Sequence, residues 1–322
     1  MGQQRTFAGL AWTMKGKVTR REQFLAEMDA VIPWQRLMAL IEPHYPSSGK
    51  GRQPLGLEKM LRIYFVQQWF DLSDPAAEDA IYDSESIRRF VGVELGDDRV
   101  PDESTILRFR HLLEAHELTK AIFAEINSLL EEKRLLLKTG TIVDASIIHA
   151  PSSTKNREKR RDPEMKQGRK GKTWYHGMKV HTGTDKRGLT HSLTVTDAGQ
   201  SDIKQMPDLL HGQEKEVYGD QAYWKESDRE DFEDRGIRYR VNRRPTSKNP
   251  LSERWRMINR TRSRVRARGE HGYHVVKRLW GFNKVRYRGL AKNRARAYTA
   301  FGLANLYLVR RKLLPPGATC VL

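Results

Sequence analysis

The sequence predicts a chain in two parts, an all-helical segment followed by an α/β domain. Three observations carry this. Up to about residue 137 the apolar residues recur at helical spacing, whereas from Gly140 short β-branched runs take over. The order of elements in the second part, strands and a hairpin followed by helices, suits helices packed around one sheet. The charge divides at the same place. Residues 1–140 hold 19 basic and 21 acidic side chains, a net of −2, whereas residues 141–322 hold 40 and 19, a net of +21.

The elements follow in order. Residues 1–20 have no period and read as an arm. From Arg21 to Ile41, Phe24, Leu25, Met28, Val31 and Ile32 repeat at helical spacing, and Pro33 must break the helix. Residues 46–51 read as a loop. Leu57, Met60, Leu61, Tyr64, Phe65 and Trp69 mark a buried helix. Asp74 before Pro75 reads as an N-cap, and Asp102 after Pro101 as another. A last helix is expected from Leu118 to Leu136. Thr141–Ile148 is then a buried strand, residues 152–172 a polar basic loop, and Trp174–Thr184 with Leu189–Thr196 a hairpin turning at residues 185–188. A helical stretch leads to a strand at Val217–Gly219, and Ile237–Val241 is a further strand. Residues 253–312 read as mostly helical, interrupted near Gly281 and Gly289. The expected divisions are an arm and helix over 1–45, a helical domain over 46–137, an α/β domain over 138–313 and a tail over 314–322.

Composition narrows the function. The 322 residues carry 59 Lys and Arg against 40 Asp and Glu, and from Ile237 onward 23 basic side chains face two acids, Glu253 and Glu270. A surface of one sign and this size is the footprint of a polyanion, most often nucleic acid. A charged solvated face would mix signs. No apolar run reaches the roughly 18 residues of a membrane helix, residues 1–21 lack the apolar core of a secretory signal, and the single Cys320 removes disulfide frameworks and cysteine zinc sites. A cytoplasmic protein is expected.

Three carboxylates stand out. Asp144 ends an apolar strand segment, where a charge is costly unless paired or bound to metal. Asp220 ends another strand, and Glu270 is the only acid beyond Arg254. Carboxylates at strand ends commonly hold Mg²⁺, a hard ion that prefers oxygen. Two such ions about 3.5–4 Å apart can activate a nucleophile and stabilise a leaving oxygen at a phosphodiester. The plainer alternative is that the aspartates cap loops and Glu270 forms a surface ion pair. On one continuous helix at about 100° per residue, Glu270 lies about 40° and Lys277 about 20° from Arg266, so the three share a face. Ile258, Val265, Val276 and Leu279 fall on a separate packing stripe. An acid between two cations can hold metal while the cations hold phosphates.

Several stretches resemble the DDE transposases of bacterial insertion sequences, specifically the IS-five group within the IS-four-like class. They are residues 140–145 (GTIVDA), 150–156 (APSSTKN), 188–193 (GLTHSL), and 266–271 (RARGEH) continuing through Lys277-Arg278, Gly281-Phe282 and Arg286-Tyr287. The likeness extends from Thr6-Phe7 and residues 33–35 to residues 303–306. It implies an RNase H-like mixed sheet flanked by helices. Its catalytic acids, which bind two Mg²⁺ (Mn²⁺ substituting), fall on Asp144, Asp220 and Glu270. Asp197 and Asp202 compete for the second position, but Asp220 follows an apolar strand whereas Asp197-Ala198-Gly199 reads as a turn. The wider class has Tyr, Arg, Glu and Lys at fixed spacing. Arg266, Glu270 and Lys277 match, and Ser263 stands where the Tyr is expected.

The implied activity is cutting of element ends and joining of their 3′-hydroxyls to target DNA. The partners are double-stranded terminal repeats and target, and a homo-oligomer forms the synaptic complex near the nucleoid. Arg266, Lys277, Arg278, Lys284, Arg286, Arg288 and Lys179 are the expected DNA contacts. The alternatives are a structure-selective RNase H-like nuclease and a domesticated, inactive DNA-binding protein. The resemblance makes 46–137 the DNA-binding domain and 138–313 the catalytic one, and residues 74–83, 84–91 and 102–116 could form a helix-turn-helix or a plain bundle. His149, His176, His181 and His191 match no zinc spacing. Trp174 and Trp224 could stack on a base or pack in a core, and Lys155–Lys172 could track DNA or remain a solvated loop.

Overall fold

A computed structural model describes residues 14–47, 49, 53–96, 98–155, 157, 159–245 and 250–314. Thr6-Phe7, Asn156, Cys320 and all of the tail but Leu314 lie outside the described residues.

The first part is helical as expected: α1 (Arg20–Val31), α2 (Trp34–Ile41), α3 (Leu57–Phe70), α4 (Asp74–Asp83), α5 (Glu85–Val91), α6 (Glu103–Ala115) and α7 (Leu118–Glu132). Pro33 divides α1 from α2, and a capping box at Thr19 and Glu22 starts α1. Asp102 caps α6, accepting from the Thr105 N–H at 2.7 Å. At α4 the cap is one residue earlier than the sequence suggests. Ser73 accepts from the Ala76 N–H, and the Asp74 carboxylate instead receives Gln67 and buried Arg110. Helix α7 stops short of Leu136. Arg134 takes a left-handed φ of 54°, the Leu135 N–H returns to the Leu130 carbonyl, and Leu136 tucks into the core.

The second part is a six-stranded sheet of β1 (Thr141–His149), β2 (Lys166–Lys170), β3 (Thr173–Thr184), β4 (Thr190–Asp197), β5 (Glu216–Gly219) and β6 (Arg238–Val241). One edge of β3 pairs with β1, antiparallel. The other edge takes β2 along Thr173–Gly177 and β4 along Met178–Thr184. Strands β1, β5 and β6 run parallel. Residues 185–188 close the β3–β4 hairpin, with Gly188 at φ +87°. Residues 152–172 are not all loop as the sequence suggests: they contain β2, a polar edge strand held by its backbone ladder, with Met165 buried beside it. The stretch before β5 is two short 3₁₀ turns, and α8 (Glu226–Asp234) joins β5 to β6.

Residues 253–279 are not one helix. α9 (Glu253–Arg266) passes through a 3₁₀ turn into α10 (Glu270–Tyr273) and then a π-helical turn at His274–Leu279. The extra residue in the π turn rotates Leu279 off the expected packing stripe, leaving it 49% exposed while Val276 is buried. The long α11 (Leu290–Leu313) lies between the sheet and the N-terminal helices. One apolar cluster runs from Leu25 through Ile126 to Phe301 and Leu306, and Met178 and Val180 of β3 join it. A smaller cluster with Val143, Val217, Phe232 and Tyr239 covers the other face of the sheet.

Candidate active site

The candidate acids come from three separate elements. Asp144 does not end its strand but sits within β1 opposite Thr182, because pairing with β3 continues to His149, and it shares a face with Ile142 and Ser146. Asp220 is the first residue beyond β5, and its Oδ1 accepts from the Ala222 N–H at 2.8 Å. Glu270 opens α10 and is exposed. The parallel β1–β5 pair and the packing of α10 on β1 bring all three to one cavity of about 750 Å³. Close approach is built into the chain at Gly269, where a Cβ would come 3.0 Å from Ile142 Cγ2. Burial pushes the Asp144 carboxyl up to about 6, and the neighbouring Asp220 and Glu270 charges push the same way. Arg266 and an N–H bond from Ala145 to Oδ1, at 2.9 Å, oppose them.

Cations rim this cavity. Arg266, Lys277, Arg278 and Lys179 all line it, although the helical wheel that grouped the first two assumed an unbroken helix. Lys277 Nζ donates to Ser146 Oγ at 2.9 Å and to the Ile147 carbonyl at 2.8 Å. Lys179 donates to the Gln200 carbonyl and to Asp202 Oδ1. The other expected contacts lie elsewhere. Lys284 bridges to His149, and Arg286 and Arg288 line a separate hollow of about 330 Å³ beside Arg160 and Arg161. Arg286 also pairs with Asp71 at the seam with the helical layer.

Residues 136–306, more than half of the chain, match the family model described as Transposase DDE domain, and residues 13–112 match Transposase domain (DUF772). The chain is a DDE transposase. It belongs to the insertion-sequence class of these metal-dependent polynucleotidyl transferases, and its mixed sheet flanked by helices is the RNase H-like fold.

The family uses divalent metal ions, and the donor chemistry of the transposase fits one. Asp144, Asp220 and Glu270 offer only oxygen ligands, and the Asp144 carboxyl, raised first by burial and less by Asp220 and Glu270, marks a buried charge that a cation would stabilise. Among the described residues, no three His, Cys, Asp or Glu side chains stand close enough to grip an ion as placed. Asp202, weighed only as a rival second acid, lines the same cavity as a fourth carboxylate, paired with Lys179. Asp197 does not line it. Its carboxylate closes a turn, accepting from Gly199 and Gln200.

Two contributors to the transposase site escaped sequence reasoning. Tyr273 lines the cavity, and its buried hydroxyl donates to the Val180 carbonyl at 2.8 Å, with the Asp144 carbonyl at 3.2 Å. Arg169 reaches the cavity from β2. A Tyr three residues after Glu270 was the available signal for the first; a strand hidden in polar sequence concealed the second. Ser263, at the expected Tyr position, accepts from Asn242 Nδ2 at 3.0 Å and so ties α9 to the exit of β6.

The histidines play local parts. His181 meets Thr196 Oγ1 at 2.9 Å, and His191 meets Thr141 Oγ1 at 3.1 Å. Trp174 is 63% exposed, with Arg169 over its ring, whereas Trp224 packs against Tyr239. No helix among the described residues is long and apolar enough to cross a membrane.

Proposed function

We propose that this transposase cuts the ends of its insertion sequence and joins the freed 3′-hydroxyls to target DNA, with Asp144, Asp220 and Glu270 as the catalytic acids. The observation that supports this best is the meeting of three carboxylates from β1, the β5 exit and α10 in one cavity rimmed by Arg266, Lys277 and Arg278. In the first reaction the water oxygen bonds to phosphorus, the 3′-oxygen leaves and takes a proton, and a 5′-phosphate remains. In the second the 3′-oxygen bonds to a target phosphorus, and a target 3′-oxygen leaves. Each step exchanges one P–O bond for another, so both suit one site.

Two Mg²⁺ ions held by the three acids, with Mn²⁺ as a substitute, would supply Lewis-acid stabilisation of the phosphodiester and a nucleophile at neutral pH. Asp144 serves as a carboxylate above its raised pKa of about 6, and Arg266 favours that ionised form. Arg266, Lys277 and Arg278 hold backbone phosphates beside the acids. The helices of residues 46–137 are the part suited to reading the element ends. They hold 12 basic and 17 acidic side chains, a net of −5, so their specificity comes from base edges and not from bulk attraction. The DNA is double-stranded, two or more copies of the chain meet in the synaptic complex, and the place of action is the bacterial nucleoid.

Labelled element ends, a target plasmid and Mg²⁺ test the proposal with the full chain. The unaltered protein should nick and join. Asp144→Asn, Asp220→Asn and Glu270→Gln should each lose both reactions and keep DNA binding, while Asp197→Asn stays active. Near-normal strand transfer by any of the three removes that residue from the site. Cutting without joining makes the protein a nuclease, and binding alone makes it a domesticated DNA-binding protein.

A further inference from the structure

The face of the sheet that carries Asp144 bears a second concentration of charge two strands away. In the β5–β6 register Glu216 stands opposite Arg238 and Tyr218 opposite Arg240, so both arginines share a face with the one carboxylate. Lys186 from the β3–β4 turn pairs with Glu216, and Arg238 and Arg240 approach it at 3.6 and 3.9 Å. Arg262 of α9 closes the group from above, donating to the Val241 carbonyl at 2.5 Å. One buried acid therefore faces three cations, with Arg262 beside Arg240 as a fourth. Burial, and then Arg238, Arg240 and Arg268, press the Lys186 ammonium below its ordinary range; burial, and then Arg240, do the same to Arg262. Arg240 Nε and Arg262 Nε are both buried, with no acceptor among the described residues. Between them lies a hollow of about 350 Å³, lined by Arg238, Tyr239, Arg240, Arg262 and Glu233.

This pocket is separate from the catalytic cavity. Three residues of β5 lie between Glu216 and Asp220, and the four steps span about 13 Å of strand. The roof is unusual too. None of the 14 residues of α9 is buried, and they include six arginines against Glu253 alone. Arg262 and Arg266 lie one turn apart on one face of α9, so the cations form a row from the catalytic cavity to the sheet edge. A mutually repelling group with unused inward donors is completed by an anion, and a tetrahedral phosphate accepts from several guanidinium forks at once.

We infer that the pocket formed by Arg238, Arg240 and Arg262 at the β6 edge is a second phosphate-binding site, which holds the backbone of DNA outside the catalytic cavity. The inference rests on the reading of the chain as a DNA-joining enzyme, but its test needs binding alone and no metal or turnover.

The experiment measures binding of the full chain to an element-end duplex and to an unrelated duplex across a salt series without divalent metal. Arg238→Ala/Arg240→Ala should weaken binding about tenfold near 0.1 M salt and flatten the log–log salt slope by about one to two. Loss on the end duplex alone assigns the site to element DNA, and equal loss on both assigns it to any backbone, target included. Arg311→Ala, on the last turn of α11, should change neither slope. Glu216→Gln separates this site from a mere ion-pair network, because removing the buried acid that Arg238 and Arg240 approach should tighten DNA binding about threefold or more. An unchanged salt slope in the double variant, or a Glu216→Gln protein that loses stability without gaining affinity, overturns the inference. Failure of strand transfer with these slopes intact would instead count against the proposed reaction.

Discussion

At the residue scale, Asp144 is held at a cost that the apo protein bears. Its carboxyl rises from 3.8 to about 6, first by burial and then by Asp220 and Glu270. Between those values the folded chain keeps a proton that the unfolded chain has released, so stability falls as pH rises through this window, and the full cost stands at pH 7. Asp144→Asn should therefore raise the melting temperature of the metal-free protein at pH 7.5, with up to about 3 kcal/mol available at roughly 1.4 kcal/mol per unit. The gain should vanish below about pH 4. Calorimetry at both pH values checks this, and an unchanged or lower Tm at pH 7.5 refutes it. His191 has the opposite sign. Burial beside His211 drives it down to about 3, so the folded form stays neutral where the unfolded form takes up a proton. Its contribution is complete above pH 6.5 and declines as pH falls toward 3, by about 2 kcal/mol at pH 5. Urea melts at pH 7.5 and 5.0 should show that loss and a shallower one in His191→Gln; equal slopes would clear His191 of the effect.

At the element scale, the segment from α9 to the π turn is aligned to β1 by three contacts. Gly269 abuts Ile142, the Tyr273 hydroxyl reaches the carbonyls of Asp144 and Val180, and Lys277 holds Ser146 and the Ile147 carbonyl. Residues 269, 273 and 277 are four apart, so they share a face and meet alternate positions 142, 144 and 146 of the strand. Glu270 sits within this run, so its distance from Asp144 depends on it. Tyr273→Phe should cost about 1–2 kcal/mol of stability and slow end cleavage about tenfold or more at saturating DNA, since small misplacements of a reacting group are expensive. DNA affinity should stay within about twofold. A variant that loses stability but cleaves at the normal rate would show that Tyr273 supports the fold without positioning Glu270.

At the scale of the whole molecule, α11 makes the two parts one body. Phe301, Leu303 and Leu306 are buried in a cluster that Ile122, Phe123 and Ile126 of α7 complete. A close pass at Gly302, where a Cβ would stand 3.2 Å from Ile126, leaves no room between the layers. Asp71 adds a polar tie, pairing with buried Arg296 and with Arg286. A fragment starting at residue 138 would expose this face of α11, and the expected result is aggregation or loss of a cooperative melt. A soluble fragment with a sharp transition would show instead that residues 138–313 fold alone. Division of labour between end-reading and backbone binding is therefore better tested in the full chain, by removing surface charges.

The sequence by itself determined the order of elements, the helical-to-sheet change near residue 140, the cap at Asp102 and the basic second half. These depend on local periodicity, on side chains that bond their own backbone, and on counting charge. It also picked out Asp144, Asp220 and Glu270, because a lone acid in an apolar strand or an arginine-rich helix is conspicuous without coordinates. Only the tertiary structure decided which charges share a space. It left Arg286 at a seam, put Asp202 in the cavity and showed β2 inside an apparent loop, because an edge strand is held by backbone pairing that its side chains do not announce. The break of 253–279 into α, 3₁₀ and π turns belongs to the same class. A helix departs from its own repeat where a neighbouring strand makes it worthwhile, and that strand lies more than a hundred residues away in sequence.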